Sequence, residues 1–171
     1  MGSEIKNQPE GESPLERERL VLKFERELMR GKARWLANFI ESFEDFQVND
    51  VTFDIFIRGN TRVKGFLLSR FFSYVLNPNY EVGCYMYASE RRLNRSIARK
   101  ILVTAKGSME ANEMRWIWLI MIADQIDSEA KDYVEKVSDQ GLAVVAVETD
   151  TGLITNSKNF LGRQARKFVK V

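Results

Sequence analysis

Between Arg58 and Lys106 the chain places ten cations, seven of them arginine, against two carboxylates, Glu81 and Glu90. Arginine offers a planar donor fork that matches phosphate oxygens and a flat face that stacks on bases, so this block has the composition of a polyanion-binding surface. Aromatic residues accompany it. In strand-like alternation Phe56 shares a face with Asp54 and Arg58, while Tyr85 and Tyr87 share theirs with Glu81, directly before Arg91, Arg92 and Arg95. Open rings flanked by arginines suit single-stranded nucleic acid, because each base stacks for about 1–3 kcal/mol while the cations follow the phosphates. The candidate binding residues are therefore Phe56, Arg58, Arg62, Lys64, Tyr85, Tyr87, Arg91, Arg92, Arg95 and Arg99, and the expected partner is single-stranded DNA or RNA.

The formal net charge of +2 conceals the other blocks. Residues 1–57 hold 8 cations and 12 carboxylates, residues 107–157 hold 3 and 10, and residues 158–171 hold Lys158, Arg163, Arg166, Lys167 and Lys170 with no carboxylate. The basic tail is expected to assist the middle block. The competing expectation is that acidic and basic blocks face one another and cancel as surface ion pairs, each contributing about 0–1 kcal/mol.

Catalytic chemistry finds little support. Histidine is absent, which removes imidazole-based triads, imidazole metal sites and the commonest general base at neutral pH. Magnesium-dependent nuclease chemistry needs carboxylates and a Glu-x-Lys on adjacent strands, but Glu129-Ala130-Lys131 falls on an expected helix and Glu4-Ile5-Lys6 in the polar start. Asp150-Thr151-Gly152 reads as turn chemistry. No glycine-rich nucleotide loop occurs, and Cys84 alternates inward with Val82 and Met86 as a small core residue. No enzyme activity, catalytic residue, metal or cofactor is expected. The longest apolar run, Trp116–Ala123, is too short to span a bilayer, and the polar start does not resemble an export signal, so the expectation is a cytoplasmic protein without membrane contact.

These residues need a scaffold. Residues 1–14 are expected to be disordered and 15–171 to form one domain. Leu15–Phe43 reads as a single long amphipathic helix carrying Val21, Leu28 and Trp35 at spacing seven, and an apolar stripe of this length could also join two copies into a homo-oligomer. Strands are expected at Val51–Arg58, Tyr80–Ala88, Met114–Ala123, Leu142–Val147 and Leu153–Thr155, and helices at Val63–Leu76 and from Asp127 or Ser128 to Val137. Glu90–Lys106 is either a basic helix or, from Ile101, a strand. The resulting class is α+β, or α/β, with one mixed, largely antiparallel sheet packed with helices behind a long N-terminal amphipathic helix.

The succession of Arg115–Ala123, Ser128–Val137, Leu142–Val147 and Thr151-Gly152-Leu153 resembles the strand, helix, strand and hairpin order of restriction-nuclease-like and splicing-endonuclease-like domains. Catalysis in those families uses carboxylates with lysine, or a tyrosine, histidine and lysine set. The resemblance therefore implies a non-catalytic relative, an adaptor or structural subunit. The long leading helix, aromatic strands and arginine-rich middle are similar to the archaeal ThermoDBP-type proteins. That resemblance implies helices over an antiparallel sheet and binding of single-stranded DNA or RNA.

Overall fold

The computed structural model describes residues 12–61 and 80–170. The expected helix Val63–Leu76, with Arg62 and Lys64, lies outside the described residues.

Helix α1 (Glu12–Met29) buries Leu20, Val21, Phe24 and Leu28. It starts inside the segment expected to be disordered and stops well before Phe43. Gly31, at φ 82°, turns the chain in the left-handed region, after which strand β1 (Asn38–Val48) begins. The expected Leu15–Phe43 helix is thus a helix, a turn and a strand. Its apolar spacing continues past the helix end only because Phe39 belongs to the same core as Val21 and Leu28. A tight turn with Asn49 at φ 53° leads into β2 (Val51–Asn60), antiparallel to β1.

The remaining elements are β3 (Glu81–Tyr87), β4 (Arg92–Leu93), α2 (Arg95–Ala111), β5 (Trp116–Ala123), β6 (Gln125–Ile126), α3 (Ser128–Glu135), β7 (Leu142–Glu148), β8 (Ile154–Asn156) and α4 (Phe160–Phe168). The ambiguous Glu90–Lys106 segment becomes mainly α2. Asn94 caps it by accepting from the Ile97 N–H, and Ala98, Ile101, Leu102 and Ala105 line its buried face. Isoleucine, leucine and alanine at three- and four-residue spacing satisfy a helix here, so no strand forms at Ile101–Thr104.

Six strands make a mixed sheet in the order β1-β2-β3-β5-β7-β8, and β4 with β6 forms a short parallel ribbon. The pairs β1–β2, β2–β3 and β7–β8 are antiparallel, while β3–β5 and β5–β7 are parallel. The fold is α+β. Helices α1 and α4 cover one sheet face, and α2 and α3 cover the other. Every residue of β5 and β7 is buried, as expected for parallel strands clad on both sides.

Polar groups close the carboxyl edge of the parallel strands. Buried Asp124 lies 3.5 Å from Nε of Arg17, 3.6 Å from Nε of Arg91, and accepts from the Thr149 hydroxyl at 3.2 Å. Glu148 accepts from the Ile126 N–H, the Thr151 hydroxyl and the Lys131 ammonium. Burial alone would raise its pKa, but these hydrogen bonds and the Lys131 charge hold it below the ordinary carboxyl range.

Candidate nucleic-acid interface

Two of the expected stacking rings are core residues. Phe56, only 4% exposed, lies between Phe46 and Tyr85 with both ring centroids at 4.5 Å. Tyr85 is fully buried and its hydroxyl shares a hydrogen bond with Ser108 of α2 at 2.8 Å. Neither ring is open to a base. The alternation expected for Val51–Arg58 also slips. Phe53 and Phe56 share one core while Ile55 and Ile57 enter the other, so simple alternation fails along β2. Tyr87 is half-buried and donates to Glu90, and burial followed by the Glu90 charge pushes its phenol up to about 12.

Among the described residues of the arginine-rich block, five of the seven cations are met by carboxylates. Arg58 pairs with Glu81 and Glu41, Arg91 with Asp124, Arg92 with Asp127, Lys100 with Asp50, and Lys106 with Asp139 and Glu110. The acidic 107–157 block supplies several of these partners, as the competing expectation held. Exposed Arg95 reaches over the Tyr133 ring at 6.0 Å, and Arg95 and Arg99 have no carboxylate within ion-pair distance among the described residues. Among the described residues the block does not present one open cationic surface with its rings.

An exposed ring among cations exists elsewhere, at the junction of α1 and α4. Trp35 follows the Gly31 turn and is 57% exposed. Its indole stacks on Phe168 at 6.5 Å and 28°, and Phe168 stacks on buried Trp118 at 5.5 Å and 28°, so a file of rings runs from the core to the surface. Arg19, Lys23 and Arg26 recur at helical spacing along α1 with Arg30 just past its end, and all four are exposed. Lys23 donates to the Lys170 carbonyl at 2.8 Å, tying this stripe to the basic tail. Lys167 and Lys170, beside Phe168, are exposed as well, and Arg34 lies against Gly31 next to Trp35. In this group Lys32 pairs with Glu27 at 2.7 Å; Lys23, Arg26, Arg30, Arg34, Lys167 and Lys170 have no carboxylate partner among the described residues.

Local chemistry fixes this arrangement. The Asn159 side chain accepts from the Gly162 N–H at 2.7 Å as the cap of α4, and its amide donates to the Asp139 and Leu142 carbonyls at 2.6 and 2.7 Å. One side chain thus starts the helix and ties it to β7. Gly162 is required because a Cβ there would run into the Ser157 carbonyl and hydroxyl. At the other end Gly31 supplies the left-handed turn that swings Trp35 onto Phe168.

Sequence reasoning missed Trp35 because its spacing of seven from Leu28 assigned it to a helix stripe. The available signal was the Gly31-Lys32-Ala33-Arg34-Trp35 stretch, in which glycine breaks the helix and cations flank the ring.

No protein-family model, curated protein or solved structure matches the chain. Among the described residues no group of three or more His, Cys, Asp or Glu side chains is arranged to hold a metal ion, and no helix is long and apolar enough to cross a membrane.

Proposed function

We propose that this chain is a non-enzymatic single-stranded nucleic-acid-binding protein that uses the α1–α4 face rather than the strand faces. The observation that carries the reading is Trp35, an open indole that ends a file of stacked rings and stands among arginines and lysines without carboxylate partners among the described residues. A base laid on the free face of Trp35 extends that file, and the α1 stripe with Lys167 and Lys170 follows the phosphates. An indole already held by Phe168 loses little conformational freedom when a base stacks on it, which favours binding.

Fluorescence anisotropy with a labelled oligothymidylate over a salt series tests the reading. Affinity should fall steeply with salt, because each neutralised phosphate releases counterions. Trp35→Ala should weaken binding by about 5- to 150-fold, the equivalent of one stacked base at about 1–3 kcal/mol, and leave the salt slope unchanged. Arg30→Ala should instead lower the slope by about 0.7 for one lost phosphate contact. No binding at low salt, or a salt-independent affinity, contradicts the proposal.

A further inference from the structure

Two further surfaces complement each other in charge and sit at opposite ends of the sheet. The first is a groove of about 290 Å³ between α1 and the β1–β2 hairpin. Val21, Leu22 and Ile55 give it apolar walls, Glu18, Glu44, Asp45 and Asp54 give it a carboxylate rim, and among the described residues no lysine or arginine lines it. Leu22 is 47% exposed. The second surface is the outer stripe of α4. Phe160, Arg163 and Lys167 follow one another at three- and four-residue spacing, opposite buried Leu161 and Ala165. The Phe160 ring is 51% exposed at the head of a stripe whose cations have no carboxylate partner among the described residues.

We propose that copies of this chain associate head to tail, the Phe160–Arg163–Lys167 stripe of one copy entering the α1/β1–β2 groove of the next. The apolar ring meets exposed Leu22, and the two cations meet the rim carboxylates. The partner is a second copy because both halves of the match occur on this one chain. A symmetric groove-to-groove contact would oppose carboxylate to carboxylate. The groove lies at the β1 end of the sheet and α4 packs over β7 and β8 at the other, about 20–25 Å away at the usual strand spacing. A head-to-tail contact of one patch with the other is heterologous, and it builds a ring where the rotation closes and an open array where it does not. The contact is small and charged, which makes it weak and sensitive to salt.

The test needs no nucleic acid, so its outcome is separate from that of the binding proposal. Sedimentation velocity on the full chain at about 0.1 M and about 1 M salt compares screening lengths of about 10 and 3 Å. The wild type should associate with rising concentration at low salt and dissociate at high salt. Leu22→Asp spoils the groove and Phe160→Asp spoils the stripe; both positions are surface-exposed, and circular dichroism checks that each variant is folded. Each variant alone should remain monomeric. Mixed one to one they should form a dimer and nothing larger, because one intact groove and one intact stripe remain per pair. A monomeric wild type, variants that still associate alone, or a mixture that stays monomeric overturns the proposal.

Discussion

Replacing Phe56 with alanine separates a core ring from a binding ring. Phe56 is 4% exposed, stacks at 4.5 Å on both Phe46 and Tyr85, and lies 5.9 Å from Phe43. Truncating such a side chain removes its transfer free energy and leaves a cavity that its neighbours fill only partly, a loss of about 3–5 kcal/mol. Total stability for a domain is about 5–15 kcal/mol, so the variant should keep its fold with a much reduced margin. In urea, with a slope of about 2–3 kcal/mol per molar, the midpoint should move down by about 1–2.5 M, while oligonucleotide affinity of the folded variant stays within about twofold. A loss below about 1 kcal/mol accompanied by weakened binding would refute this reasoning and place the ring on an open surface.

Further tests address the supports of the same scaffold. Asn159→Asp keeps the cap acceptor but discards the donors to the Asp139 and Leu142 carbonyls, and should cost about 1–3 kcal/mol by calorimetry. A smaller cost would mean that the amide does not tie α4 to β7. The Glu148 carboxyl is held below its ordinary range in the folded state, so its contribution is present above the unfolded-state value and is lost as pH falls through the folded value. Denaturation between neutral pH and about pH 3 should show that loss in the wild type and a flatter dependence in Glu148→Gln. Tyr87 behaves oppositely. Its phenol is raised to about 12, so stability should decline as pH climbs from about 10 toward that value, and Tyr87→Phe should remove this part of the alkaline decline.

Parts of this fold can be read directly from residues. Trp116–Ala123 and Leu142–Val147 are continuous apolar runs, and the structure places them as adjacent parallel strands buried on both faces. The same cladding defeated the reading of Tyr85. Alternation assigns a strand one dry and one wet face, but β3 lies between β2 and β5 in mid-sheet with helices over both faces, so Cys84 and Tyr85 are equally buried. The end of α1 was hidden because Phe39 continues the helical spacing of Leu28 while standing on a strand in the same core. Ion pairing was beyond local pattern altogether. Arg92 and Asp127 are 35 residues apart, and only the β4–β6 ribbon brings them together.

The most direct test of the binding surface uses the protein's own indoles. Trp116 and Trp118 are 7% and 1% exposed, so quenching on addition of an unlabelled oligothymidylate should report on Trp35. Saturable quenching is expected in the wild type, disappearing in Trp35→Phe and reversed by salt. Quenching that persists unchanged in that variant, or binding by anisotropy with no change in the wild-type emission, would contradict it.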